Sequence, residues 1–241
     1  MSYNSAIGRS LITAKPKGFI STTKPVNIAS GCTQGIQTTF SVRGDLYAQP
    51  NTVAYAAVAM NGSGSSMAFS DTTGTTWTPV ATTGGTQSHI RLSLFKAIVP
   101  AGGFSRSTVF TLTTQFTKNG VAVVVTNFPM CTSVPGTNDA ISGETTAAGW
   151  NITVAGPTLP TSFQFAIVGA NHNPNPYLAN PTGASTGGWA LNSALHLSES
   201  QVFPDVCLAT YWRQASSTAS TSLVITGATD FTAYAYSEAA I

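Results

Sequence analysis

Charge is what this sequence has least of. Aspartate, glutamate, lysine and arginine make up 7% of its 241 residues, against about a quarter in ordinary soluble domains. The shortage excludes several functions. A nucleic-acid face needs clustered basic side chains, and the ten lysines and arginines here are few and scattered, so no specific nucleic-acid partner is expected. Acid–base catalysis needs tunable groups held within hydrogen-bond reach, and five Asp, three Glu and three His are a thin supply. His89, His172 and His196 show neither H-x-H nor H-E-x-x-H spacing, so no metal site is read from them. The glycine-rich phosphate loops are missing too. The expectation is a protein that is no enzyme, with no catalytic residue and no cofactor. Asp139 and Glu144 could be a glycosidase pair, but loop polarity is the simpler reading of both.

Other shortages narrow the class further. The three cysteines, Cys32, Cys131 and Cys207, are far apart and form no C-x-x-C, so they are expected to be buried free thiols. No run of 18 apolar residues occurs, and no membrane span is expected. The first 20 residues lack the apolar stretch of a secretion signal, which points to synthesis in a reducing cytoplasm. Helical periodicity is nearly absent as well. The nearest case, residues 188–197, reads as a loop or a single turn.

What the chain does have is apolar bulk and hydroxyls. Hydrophobic residues make up 42% of it, with 12 Phe, 7 Tyr and 4 Trp, which separates it from disordered chains. Threonine is β-branched and suits a pleated surface, and desolvating a hydroxyl costs less than desolvating a charge. From residue 36 onward, short β-prone runs alternate with Gly, Pro, Asn and Ser clusters. Strands are expected over 37–42, 52–60, 66–69, 75–78, 90–99, 108–116, 121–126, 150–154, 162–169, 206–213, 220–226 and 231–236. Turns are expected at Asn61-Gly62, Asp71-Thr-Thr-Gly74 and Lys118-Asn119-Gly120. The fold class is therefore all-β, an antiparallel β-sandwich or jelly roll. It is read as one domain over 36–241, preceded by an irregular N-terminal arm over 1–35. Residues 129–149 and 170–189 are rich in turn formers and read as long loops.

Two regions are candidates for contact with partners. Residues 1–44 carry Arg9, Lys15, Lys17, Lys24 and Arg43 with no acid, a charge of +5, while the remainder carries −3. Such a basic arm can dock electrostatically on an acidic neighbour, through Arg9, Lys15, Lys17 and Lys24; a solvated terminus is the plainer alternative. The second region is the loop holding Asn171, His172, Asn173 and Tyr177, with Trp189 beyond it. Rings and amides together suit a sugar, whose C–H faces stack and whose hydroxyls pair. Equally, Trp189 can fill the core while the Asn-Pro repeats fix turns. Arg43-Gly44-Asp45 matches a tripeptide that integrins read, but turn geometry explains it better.

The order of features from Asp71 onward carries a resemblance. Asp71-Thr-Thr-Gly-Thr-Thr-Trp-Thr78 precedes an apolar run over 92–99 and the turn Pro100-Ala-Gly-Gly103. Runs over 108–116 and 121–126 follow, and later Ala-Thr-Tyr-Trp (209–212) and Ala-Ser-Ser-Thr-Ala-Ser-Thr-Ser (215–222). This resembles the β-sandwich structural proteins of tailed-bacteriophage virions, such as head decoration, head-fibre and tail components. The resemblance covers about two-thirds of the chain and rests on turn-and-strand chemistry. It implies a symmetric oligomer, with a trimer favoured, seated on major capsid or tail proteins of the virion. A carbohydrate- or receptor-binding module that attaches to a host surface glycan is the alternative.

Overall fold

The computed structural model describes residues 24–61, 66–82, 90–135, 140–141, 150–172, 188–197, 205–225 and 231–241. Thirteen strands are formed among them and no helix. All strand pairing is antiparallel, as the short runs and turn clusters imply.

The largest sheet has the order β1-β6-β2-β5-β4, with β3 on β6. Its strands are β1 (Val26–Arg43), β2 (Val53–Asn61), β3 (Met67–Asp71), β4 (Thr78–Thr82), β5 (Ile90–Ile98) and β6 (Val109–Phe128). The second sheet runs β10-β11-β9-β13-β7, from β7 (Ala140–Ile141), β9 (Phe163–His172), β10 (Ala190–Leu197), β11 (Asp205–Gln214) and β13 (Phe231–Ala239). A third, two-stranded sheet pairs β8 (Trp150–Val154) with β12 (Thr221–Ile225).

Three apolar cores separate these layers. The middle one lies between the two large sheets. Val53, Tyr55, Ala57, Leu92, Leu94 and Val124 meet Phe163, Phe165, Ile167, Val206, Leu208 and Ala235 there. The alternate residues of β2, Ala54, Ala56, Val58 and Met60, belong to the first core, on the opposite face. Covered on both sides, β2 is buried at all nine positions, so it reads as a continuous apolar run and not as an alternation. The third core joins Ile152, Val154 and Leu223 of the small sheet to Ala166, Val168, Ala209, Tyr211 and Tyr236 of the second.

The first core exists because the two longest strands fold over. β1 and β6 pair along their full length, with register shifts between Gln34, Gln37 and Thr39. Such irregularities bend a strand and increase its twist. Beyond the bend, Val42, Phe110 and Leu112, with Phe69 of β3, come down on the outer face of β2 and β5. Gly31 marks the crossing: a Cβ there would sit 2.8 Å from Val42 Cγ1, in the same strand. The opposite faces of the distal halves expose Thr39, Ser41 and Thr113, the hydroxyl-out pattern that their composition implies.

Several sequence expectations need correction. The arm does not run to residue 35, because β1 begins at Val26 and Ile28 is fully buried. Gly31 and Ser30 conceal the strand, whose partner, β6, lies some ninety residues away in the chain. Lys118-Asn119-Gly120 makes no turn. β6 continues through it as strand, with Lys118 and Gly120 paired to Gln37 and Gln34. Residues 190–197 are strand β10, held by β11, where a loop or turn was expected. Residues 75–77 are not strand, and β4 starts only at Thr78. Cys131 and Cys207 are buried as expected, whereas Cys32 is exposed.

A polar cluster stitches β1 and β6 to β10 and β11. The Asn192 side-chain amide donates to Asn27 Oδ1, to Thr126 Oγ1 at 3.0 Å and to Thr210 Oγ1 at 3.1 Å. Asn27 Nδ2 returns a bond to the Asn192 carbonyl at 3.2 Å. Thr126 and Thr210 are fully buried, so this cluster fixes how the two large sheets register at that edge.

Candidate functional site

The basic arm is met only at its end. Arg9, Lys15 and Lys17 lie outside the described residues. Lys24 and Pro25 border a crease lined by Phe128, Pro129, Met130, Cys131 and Phe163, with no internal space for a ligand. Lys24, where the described chain begins, therefore lies near Met130, which is 44% exposed.

Of the ligand loop read from the sequence, Asn173 and Tyr177 also lie outside the described residues. Asn171 and His172 extend β9, their backbones paired with Val206 and Asp205 of β11. Trp189 is not a surface plate. It is 6% exposed and belongs to the third core. Arg213 stacks over its ring at 5.6 Å, and its indole Nε1 has no partner among the described residues. Sequence spacing left both roles open for Trp189; the third layer, β8–β12, covers it.

Arg213 belongs to a polar row across three adjacent strands. Its Nε donates to Gln164 Oε1 at 2.7 Å, and Gln164 pairs across the sheet with both Arg213 and Glu238. Glu238, fully buried, accepts from Thr158 N and Thr158 Oγ1 at 2.9 Å each and from Leu159 N at 3.4 Å. Gln164 Nε2 donates to the Ala155 carbonyl at 2.7 Å. The row thus ties down the 155–159 segment, and burial lowers the pKa of the arginine without neutralising a guanidinium. Neither spacing nor composition pointed to this row; its members meet only through strand pairing.

Arg43-Gly44-Asp45 does not form the expected turn: Arg43 ends β1, and Gly44 and Asp45 follow it as irregular chain held by distant segments. Gly44 N donates to the Thr108 carbonyl at 2.9 Å and Asp45 N to that of Ile28 at 2.7 Å. A Cβ on Gly44 would strike the Ser105 carbonyl at 2.5 Å. Asp71 organises a turn at 72–73. Its carboxylate accepts from Thr73 N and from Trp77 Nε1, both at 2.7 Å, holding Trp77 against Phe69, Phe104 and Phe110.

One open groove has the size of a small ligand, about 330 Å³. It follows the rim of the large sheet where β4 is the last strand. It is lined by Thr75, Thr76 and Thr78, by Lys96, Ala97 and Ile98 of β5, and by Val134. By alternation Lys96 and Ile98 share the face of Leu92 and Leu94, so the groove opens at the mouth of the middle core. Ile98 is 40% exposed there. Pro79 sits in the edge strand beside it, where a missing N–H discourages pairing with another strand. Among the described residues no cluster of three or more His, Cys, Asp or Glu could hold a metal ion. Asp139 and Glu144 lie outside them.

Neither a known protein family, nor a curated protein, nor a solved structure matches this chain.

Proposed function

We propose that this chain is a non-enzymatic structural protein of a tailed-bacteriophage virion, a capsid decoration or tail component that docks on other virion subunits as a homo-oligomer. The observation that carries the non-catalytic half is where the buried ionisable side chains go. Glu238 holds a loop by three hydrogen bonds, and Arg213 bridges Gln164 and the Trp189 ring. Asp71, half-buried, fastens a turn and Trp77. Side chains committed to holding a loop and a turn are poorly placed to exchange protons with a substrate. The surface left over is hydroxyl-rich and nearly uncharged, suited to tight packing against neighbours at low desolvation cost. The virion half rests on the resemblance carried by residues 71–226.

Immunogold labelling of particles produced from the genome that carries this gene tests the reading. Label is expected on intact purified particles, and light scattering of the isolated protein is expected to give a trimer. Label confined to the unassembled fraction, with a strictly monomeric protein, would overturn it.

A further inference from the structure

We propose that one end of the sandwich is the docking face for an acidic protein surface of the capsid or tail, an inference that rests on the virion reading above. Among the described residues the exposed large hydrophobic side chains are Tyr47, Ile98, Met130, Leu159 and Ile241. All five lie at the same end. Ile98 closes β5 opposite Val53, where β2 begins, and Met130 follows the end of β6. Thr132 N donates to the Ala240 carbonyl at 2.9 Å, which brings Ile241 and the close of β13 to that end. Phe163, paired with Ala239, begins β9 there, shortly after Leu159. Tyr47 arrives through the fold-over: Asp45 N bonds to the Ile28 carbonyl near the start of β1, and Ala48 bridges Phe104. Single exposed hydrophobics scattered over a surface carry no message, but their confinement to one end marks a contact face.

Charge indicates what covers it. The described chain begins at this end, with Lys24 near Met130, so residues 1–23 are joined to the body there. They carry Arg9, Lys15 and Lys17 and no acid. Arg43 and Arg106 are exposed at the same end. Each Nε donates to a backbone carbonyl, that of Arg106 and that of Asp45, at 3.0 Å, and a neutral acceptor leaves the positive charge standing. The acids beside them are Asp45 and the half-buried Asp71, too few to balance the cations. A second copy would bring the same positive excess to the contact, so this end suits an acidic neighbour better than itself. Apolar anchors then supply affinity while the charges steer the approach.

Genomes encoding variants of the full chain test this, with immunogold label counted per purified particle. Ile98→Asp with Met130→Asp, and separately Tyr47→Asp with Leu159→Asp, are each expected to lower the label about tenfold or more. Their circular dichroism spectra and their oligomeric state in light scattering are expected to stay those of the parent, because the face meets a different protein. One pair suffices where the other disturbs the spectrum. Thr113→Asp with Ala194→Asp, at exposed positions away from this end, is expected to keep full label. Folded end variants that label like the parent overturn the docking face and leave the virion reading standing. End variants that lose the parent's oligomeric state make the end a contact between copies and overturn it too. Parental particles without label overturn both.

Discussion

Tyr55 shows how a single side chain is fixed at the centre of this molecule. It is fully buried in the middle core, stacked on Phe165 and edge-on to Phe128, and its hydroxyl donates to the Glu238 carbonyl at 2.7 Å. Tyr55→Phe keeps the ring and removes that hydrogen bond. The expected cost is about 1 kcal/mol, read as a fall of about 2–4 °C in Tm. Cys131 sets an alkaline limit on stability. Burial pushes its thiol from the ordinary value of 9 up to about 12, so between those values the unfolded chain ionises while the native one stays protonated. The native advantage is whole below about pH 9 and lost by about pH 12, with a slope of at most about 1.4 kcal/mol per pH unit. Urea titrations at several alkaline pH values should show this fall, and Cys131→Ala should reduce it. Tyr211, raised by burial too, supplies a remainder of the same sign.

At the scale of the element, the alternation of apolar and hydroxyl residues was legible and the ends of several strands were not. The 52–60 run announced β2 because its residues are small and apolar throughout, whichever face they meet. The Asn-Gly at 119–120 is a turn signal only when the flanking runs pair with each other; here both pair with β1. β10 was hidden because Asn192, Ser193 and His196 look like loop residues, yet Asn192 is the donor that joins two sheets. Asn192→Ala leaves Asn27 and the buried Thr126 and Thr210 without that donor in a partly buried site. A loss of about 1–3 kcal/mol is expected, with faster hydrogen exchange along β10 and the first half of β1. An unchanged urea midpoint would show that the cluster contributes nothing to stability.

The whole molecule is a stack in which neighbouring cores share a sheet. β2 supplies one face to the first core and the other to the second; β9 and β11 do the same for the second and third. Loss of one core exposes the back of the next, so unfolding should be a single transition despite the chain's length. Trp77 reports on the first core and Trp189 on the third. Single-tryptophan variants keeping one or the other should show coincident denaturation midpoints; separated midpoints would mean that the layers unfold independently. The start of β1 also decides where the arm can be cut. Removing residues 1–23 should leave the circular dichroism spectrum and Tm intact but abolish attachment to particles. A cut at residue 30 would take Ile28 and Ala29 out of the core and confuse the two effects. Attachment that survives the shorter deletion would exclude the arm as the docking element.

Composition alone determined that this chain is built from antiparallel strands with a nearly uncharged surface, because β-branched and aromatic residues in short runs between turn formers have few other ways to bury themselves. It could not determine which strands are neighbours. Pairing partners far apart in the chain, the bend in β1 and β6, and the cover over Trp189 arise when backbone groups from distant segments satisfy one another. Only the folded arrangement settles that long-range pairing, and with it which hydroxyls, which lysine and which isoleucine share a groove.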